Sequence, residues 1–382
     1  MVEEIVHDEL GPEKIIEVYD PKTGMRGVLV VDNTARGPGK GGTRMTPTVN
    51  KVEVFRLARA MTLKNALADL PFGGAKSGII ALPEVIKDKT RKKAYVQAFA
   101  RALKQLSPSI YIGAPDVNTA EEEMRWFVEA NGSWKCVTGK PADMCLKPGK
   151  CGIPHELGST GFGVYHAALV ALSHAKIPVK SATFAVEGFG NVGSFAAKFL
   201  TEAGAKFVAV SDSKGCIYNP DGLDFKQIEQ TKKEKGTVTA YAPGKVLPNK
   251  DLFELPVDLL IPAALPDVIN ESNVGNVKAK VVCCGANIPM AVAMEDKLHA
   301  RSVLVVPDFV ANAGGVISSY CEYKGKTVDQ MFKMVEKKVK RNTKLVLKLA
   351  KEKAVKPRDA ATEIAMQRIH EAMAKREAEH KQ

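Results

Sequence analysis

Long apolar runs are missing from this chain. Nowhere in its 382 residues do 18 or more apolar residues follow one another, so no membrane-spanning helix is expected and a membrane is not anticipated as a partner. The opening residues, MVEEIVHDEL, lack the basic-then-apolar order of a secretory signal, and a cytoplasmic location is the expectation. Cys-x-x-Cys pairs are absent too. The seven cysteines, at 136, 145, 151, 216, 283, 284 and 321, are odd in number and irregular in spacing, which gives no support to a zinc ribbon or a thioredoxin-type redox site. They read as reduced thiols, and no metal site is expected. The vicinal Cys283-Cys284 lies in a valine-rich run and reads as part of a buried strand. No internal repeat occurs.

The most basic part of the chain is short of aromatics. A formal charge of +12 raises the question of nucleic acid, and eleven lysines fall between Lys324 and Lys356. Within that stretch Met331, Val335, Val339, Asn342, Val346 and Leu349 recur at helical spacing, so the lysines read as the solvated face of a long amphipathic helix. Aromatic side chains that could stack bases do not interleave with them, and nucleic acid is not expected as a partner.

What is present is ordinary globular material: 45% hydrophobic and 26% charged residues, in a chain long enough for two domains with separate cores. Residues Gly27 to Asp32 read as a strand. Lys51 to Leu70 reads as a helix stopped by Pro71, and roughly Lys92 to Leu106 as another. The Pro/Gly/Lys-rich stretch from Gly139 to Pro154 reads as a connecting segment. From Ser159 onward helix and strand alternate. Helices are predicted over Gly161 to Ala175 and Asn191 to Ala203, and strands over Thr183 to Glu187, Phe207 to Val210, Leu259 to Ile261, Ala279 to Cys283 and Val303 to Val306. That alternation predicts an α/β fold with a doubly wound parallel sheet. After Gly314-Gly315 the chain turns helical and basic, with a break at Pro357.

Gly188-Phe189-Gly190-Asn191-Val192-Gly193 matches G-x-G-x-x-G, between an apolar strand and a helix of small residues. Its first glycine permits the tight turn, its second lets a pyrophosphate approach the backbone, and its third lets helix and strand pack. Asp212 follows the next predicted strand, 24 residues after Gly188, where an acid holds the adenosine ribose hydroxyls. Ser213 and Lys214 follow immediately and suit a 2′-phosphate, so the cofactor is NAD or NADP.

Three lysines near the N-terminal end stand in unusual company. Lys40 lies in Gly37-Pro38-Gly39-Lys40-Gly41-Gly42, Lys64 in Met61-Thr62-Leu63-Lys64-Asn65, and Lys76 in Gly73-Gly74-Ala75-Lys76-Ser77-Gly78. Glycines at such positions serve sharp turns or close approaches, and several ammonium groups aimed into one pocket suit a polyanionic small molecule. Crowding and desolvation both disfavour the charged amine, so one of these lysines is a candidate base. Asp116, in Gly113-Ala114-Pro115-Asp116-Val117-Asn118, is a candidate proton-transfer partner; the alternative for it is the N-cap of the helix that follows. Asn312-Ala313-Gly314-Gly315 and Gly285-Ala286-Asn287 are candidate linings of the nicotinamide side, or else ordinary turns.

Together these stretches resemble the glutamate dehydrogenase branch of the Glu/Leu/Phe/Val dehydrogenase superfamily, over nearly the whole chain. The resemblance is carried in order by GPGKGGTRM, MTLKNALADLPFGGAKSGI, GAPDVNT, GSTGFGV, VEGFGNVG, SDSKG, LIPAAL, GAN and PDFVANAGGVISSY. It implies that Lys64 binds the substrate α-carboxylate, that Lys76 activates water, and that Asp116 relays protons. It implies that Lys40 and Ser319 hold the side-chain carboxylate of glutamate. Thr160, Asn287 and Asn312 fall near the nicotinamide and its ribose, beside the turn of Gly188, Gly190, Asn191, Val192 and Gly193 and the ribose-side Asp212 and Ser213. The sequence departs from the family pattern at Cys284, at Ile288-Pro289-Met290 and at Gly152 to Leu157.

The implied activity is reversible oxidative deamination of L-glutamate to 2-oxoglutarate and ammonium with NAD(P), in a homohexamer. The implied architecture is an α/β substrate and oligomerisation domain, residues 1–158 plus about 345–382, and a Rossmann-like NAD(P)-binding domain, residues 159–344. The nearest alternative is the same chemistry on a branched-chain or aromatic amino acid. A more distant one is a catalytically silent paralogue that binds or regulates.

Overall fold

The computed structural model describes residues 5–380. The chain forms two compact units. One comprises the described parts of Met1–Leu157 and Ile364–Gln382, together with Val316–Met331; the other is Gly158–Gly315 with Phe332–Glu363.

The first unit is built on a six-stranded sheet. Its strands are β1 (Lys14–Asp20), β2 (Met25–Asn33), β3 (Gly39–Lys40), β4 (Thr43–Thr46), β5 (Gly73–Ile80) and β6 (Tyr111–Ile112), with β5 central and paired to β2, β3 and β4. β2 is apolar on both faces, as a strand covered on both sides must be. Val28 and Val30 pack with Val54, Phe55 and Ala58 of α1 (Lys51–Leu67). Leu29 and Val31 face a larger core with Phe99 and Phe127, from α3 (Lys89–Ala102) and α4 (Glu121–Asn131). A short α2 (Pro83–Lys87) precedes α3. Asn50 caps α1, its side chain accepting from Val52 N and Glu53 N. α1 ends at Leu67 and α3 begins at Lys89, a few residues inside and outside the sequence-derived limits.

The segment from 139 to 154 holds a small hairpin, β7 (Cys145–Lys147) and β8 (Lys150–Cys151). Pro148-Gly149 turns the chain so that Cys145 and Cys151 stand opposite one another, and they form a disulfide. The expectation of seven reduced thiols is therefore corrected: irregular spacing along the chain concealed a cross-strand pair. The other five cysteines are buried thiols; Cys283 ends a strand as anticipated, while Cys284, expected in the same strand, lies just past it.

The second unit starts with α5 (Ser159–His174), followed by β9 (Thr183–Glu187), α6 (Asn191–Glu202), β10 (Lys206–Asp212), β11 (Gly215–Tyr218), α7 (Phe225–Lys235) and β12 (Lys245–Leu247). β13 (Leu259–Pro262), β14 (Val281–Cys283), α8 (Val292–Ala300), β15 (Leu304–Val306) and α9 (Asp308–Ala311) complete it before the C-terminal helices. The sheet order is β12-β11-β10-β9-β13-β14-β15. From β10 to β15 all neighbours are parallel, while β11 and β12 add an antiparallel edge. The chain leaves β9 for β10 on one side and later returns to β13 on the other. That reversal places a crevice at the carboxyl ends of β9 and β13, where ligands bind in open α/β sheets.

Three long helices end the chain: α10 (Gly314–Tyr323), α11 (Val328–Lys353) and α12 (Pro357–His380). α11 buries Met331, Val335, Val339, Asn342 and Val346 and exposes Lys333, Lys337, Lys344 and Lys348, the amphipathic pattern expected of it. The expected domain boundary near residue 345 falls inside this unbroken helix. The chain instead rejoins the first unit at Ile364, and Val316–Met331, assigned from sequence to the dinucleotide domain, belongs to the first unit. No described helix is long and apolar enough to cross a membrane.

Candidate active site and dinucleotide-binding turn

The glycines of the first unit bring Lys40 and Lys76 to neighbouring strands of one sheet. Lys40 of β3 pairs with Gly74 of β5 and with Ile112 of β6. A Cβ on Gly41 would stand 1.7 Å from Ala75 O, and one on Gly74 would stand 2.0 Å from Thr62 Oγ1, so no larger residue fits at either crossing. α1 is tied to the same place. Asn65, next to Lys64, donates to Gly73 O at 2.7 Å and to Lys40 O at 3.4 Å. Lys64 itself is half-buried in the last turns of α1.

Lys76 Nζ lies 2.8 Å from Asp116 Oδ2, and Arg44 Nε donates to the same oxygen at 3.0 Å. Glu53 accepts from the far end of Arg44 and so fixes the guanidinium. A Cβ on Gly42 would meet Asp116 Cβ at 2.8 Å and Lys76 Nζ at 3.2 Å, so this glycine leaves the room the pair occupies. Asp116 is not a helix cap: α4 begins five residues later, and the carboxylate is spent on Lys76 and Arg44. Burial works to raise the Asp116 pKa, but Lys76 and Arg44 overcome it and hold the carboxyl below its usual value. Burial also lowers the Lys76 pKa, and the attraction of Asp116 only partly restores it. The pair thus joins an ionised carboxylate to an amine that yields its proton more readily than a surface lysine.

Lys40 is buried, and its ammonium donates to Gly113 O at 3.2 Å. Burial brings its pKa down to about 7, against the opposing pull of Glu322. Gly113 O also accepts from Thr138 N at 3.0 Å, and Thr138 Oγ1 donates to Ser319 Oγ at 3.1 Å. Phe72, edge-on to Tyr320 and Tyr323, seats α10 beside the strand that bears Lys76. Lys40 and Ser319, far apart in sequence, thus share neighbours.

The second unit assembles the dinucleotide fingerprint at its crevice. Gly188 has φ of +90°, and a Cβ there would strike Ala264 Cβ at 2.4 Å; a Cβ on Gly193 would stand 1.9 Å from Gly188 O. Gly190 differs, because a Cβ there would meet nothing within 4 Å. No side-chain hydrogen bond caps α6, whose N-cap residue is Gly190, and helix N-termini favour anions. A cavity of about 550 Å³ continues from there, lined by Phe189, Ser213, Lys232, Asn249 and Leu265 among others. Two tight glycines, one open glycine and an uncapped helix fit a dinucleotide pyrophosphate.

Thr160, Asn287 and Asn312 gather on the same side. Asn312 donates to Asn287 Oδ1 at 2.9 Å and to Gly285 O at 3.2 Å. A Cβ on Gly315 would touch Thr160 Oγ1 at 2.9 Å, and one on Gly285 would touch Val192 at 3.1 Å. Asp212 ends β10 as expected, but its oxygens are occupied within the chain. Oδ2 accepts from Lys232 Nζ at 2.6 Å and Val238 N at 2.8 Å, and Oδ1 from Lys214 N at 2.8 Å. Of the departures from the family pattern, Cys284 and Met290 are core residues, while Ile288 is half exposed with φ of +49°.

Arg44, Thr138, Lys140, Glu322 and Lys232 were not singled out from sequence. Arg44 sits inside a quoted motif, where an arginine four residues from Lys40 was the available signal; the others are linked only by tertiary contacts.

With this geometry established, likeness to known proteins is decisive. Residues 12–132 match the Glu/Leu/Phe/Val dehydrogenase dimerisation domain, and residues 151–377 match the Glutamate/Leucine/Phenylalanine/Valine dehydrogenase domain. The chain belongs to this family. It is 40% identical over 358 residues to a glutamate dehydrogenase of Aeropyrum pernix, an alignment covering 89% of this chain and 84% of that one. It is 38% identical to an NADP-specific glutamate dehydrogenase of Saccharolobus shibatae, over 82% of this chain and 75% of the relative. The hetero-hexameric glutamate dehydrogenase of Thermus thermophilus, in a Leu-bound form, superposes with a TM-score of 0.83 at 27% identity, covering 96% of this chain and 90% of that one.

Proposed function

We propose that this chain is an NAD(P)-dependent glutamate dehydrogenase that interconverts L-glutamate with 2-oxoglutarate and ammonium. The single observation that carries this reading is the Lys76–Asp116 pair, set beside a buried Lys40 and Ser319 in a chain 40% identical to a glutamate dehydrogenase over most of its length. When bound, NAD(P) supplies a hydride acceptor for oxidation and a donor for amination.

The rest follows from the side chains. Lys64, at the end of α1, binds the α-carboxylate. Lys40 and Ser319 bind the distal carboxylate, and two charged anchors fix both position and orientation. Lys76, with its lowered pKa, takes a proton from water as that water adds to the iminium carbon of the oxidised substrate. Asp116, kept ionised by Arg44 and Lys76, passes protons between Lys76 and the departing nitrogen until ammonia leaves. On the second unit Gly188 to Gly193 cradle the pyrophosphate, and Ser213 takes the adenosine ribose end beside Asp212, which must give up contacts to Lys232 and Val238 before it can accept a ribose hydroxyl. Thr160, Asn287 and Asn312 face the nicotinamide end. The distal anchor of Lys40 and Ser319 disfavours a branched-chain or aromatic substrate, which would leave a buried ammonium without its anion.

A homohexamer forms part of this reading, supported by the match of residues 12–132 to a dimerisation domain and by the hexameric relative. The test is the initial rate of NADH and NADPH oxidation with ammonium and either 2-oxoglutarate or 4-methyl-2-oxopentanoate. A clear preference for 2-oxoglutarate is expected. Preference for the branched acid would leave the chemistry and overturn the pocket assignment.

A further inference from the structure

Beside Lys40 lies an ion pair for which deamination has no evident use. Lys140 Nζ and Glu322 Oε1 are 2.5 Å apart, and neither side chain has exposed surface. Burying two charges is costly, and a well-packed apolar pair of like volume is often as stable, so stability alone does not account for them. Both partners are firmly held. Glu322 Oε2 accepts from Gly139 N at 2.9 Å and Ile153 N at 2.8 Å. Lys140 Nζ donates to Val137 O at 2.5 Å and lies 3.8 Å from the centre of the Trp134 ring.

These contacts lead directly to the distal-carboxylate anchor. Thr138 sits between Val137 and Gly139 and bonds both Ser319 Oγ and Gly113 O. Gly113 O is also the acceptor for Lys40. Ser319 and Glu322 are one turn apart on α10.

We propose that Glu322 is a positioning residue for substrate selection: it keeps the buried Lys40 ammonium charged and, through Lys140 and the 137–140 backbone, holds Thr138 and Ser319 beside it. This rests on the reading of Lys40 as the distal-carboxylate anchor. The charged and titratable groups facing Lys40 are Glu322 from α10, Lys140 from the loop after α4, Lys76 from β5 and His155 from the turn before α5. Burial, Lys140 and Lys76 all disfavour its charge, and Glu322 acts against them more strongly than either lysine acts for them. Glu322 offsets the charge of Lys140, with which it is paired, and so leaves the Lys40 ammonium available to a substrate carboxylate. Removing Glu322 leaves Lys40 and Lys140 buried without the carboxylate that favours both of their charges.

The experiment is the pH dependence of KM for 2-oxoglutarate in the intact enzyme. In the wild type KM rises as pH passes the lowered Lys40 value near 7. In Glu322→Gln the rise begins at lower pH, and above neutrality KM is higher by about tenfold for each unit the break has moved. The pH dependence with 4-methyl-2-oxopentanoate and the KM for nucleotide stay as in the wild type. A pocket merely loosened would raise KM by the same factor at every pH. Because Glu322→Gln strands a buried lysine, the double variant Lys140→Met/Glu322→Leu removes both charges; a smaller downward shift of the break persists there with Tm recovered. A folded variant of either kind with the wild-type KM profile overturns the proposal. Lys40→Leu, measured in parallel, separates the two readings: if it affects both keto acids alike, the anchor reading itself fails.

Discussion

At the residue scale the pocket is a lesson in what burial does to amines. Lys40 and Lys76 are ordinary lysines made unusual by being taken out of water beside other charges. Lys76→Ala is expected to lower kcat by roughly 10²- to 10⁴-fold, the usual contribution of a positioned acid or base, while nucleotide affinity by fluorescence titration stays unchanged. Near-normal turnover would remove Lys76 from the mechanism. The pH profile carries the same information with a definite sign. In the proposed mechanism glutamate oxidation needs neutral Lys76 and ionised Asp116, so kcat at saturating glutamate should rise with pH through a break below the ordinary lysine value of 10.5. No second break belonging to Asp116 is expected near neutrality, because its pKa is depressed. In Asp116→Asn the loss of the carboxylate should move the lysine break to still lower pH while turnover collapses; an unmoved break would mean that the two groups do not interact.

At the scale of elements, the β9–turn–α6 corner separates the jobs of its glycines. Gly193 packs against Gly188 O, whereas Gly190 faces open space. Gly193→Ala should therefore lower Tm and the yield of folded protein. Gly190→Val should leave Tm near the wild type and raise KM for nucleotide. A reversed outcome, with Gly190→Val unfolding the protein, would contradict the cradle. This corner was legible in the sequence because strand, turn and helix are contiguous and the glycine spacing is local, although the residue that crowds Gly188, Ala264, is distant in the chain. Lys40 and Lys76 stood out for a similar reason, each lying among glycines whose close approaches the strands require, while Lys64 lies within α1. The disulfide at Cys145 and Cys151, the clamp of Arg44 on Asp116, and the Lys140–Glu322 pair were not. These depend on register across a hairpin or on packing between segments up to 182 residues apart, which no local pattern encodes. Asp212 is an intermediate case. Its place at the end of β10 was readable, but its engagement by Lys232 of α7 was not.

At the scale of the whole molecule much of the excess positive charge lies along α11, on its solvated face, rather than gathered with aromatics. Nucleic-acid binding by filter retention should accordingly be weak and sequence-blind, and lost at moderate salt as counterion release requires. Tight, salt-resistant binding would revive the reading of the chain as a binding protein. Light scattering after size exclusion should give the mass of six 41.2 kDa chains; the mass of a single chain would contradict the assembly.

The central claim is that a buried lysine reads the distal carboxylate of glutamate, and Lys40→Leu tests it most directly. The quantity to measure is the ratio of kcat/KM for 2-oxoglutarate to that for 4-methyl-2-oxopentanoate, in wild type and variant. Losing a charged hydrogen bond worth roughly 1.5–3 kcal/mol should cut that ratio about tenfold to hundredfold, almost wholly through 2-oxoglutarate. An unchanged ratio, with both substrates equally impaired or equally untouched, would contradict the account.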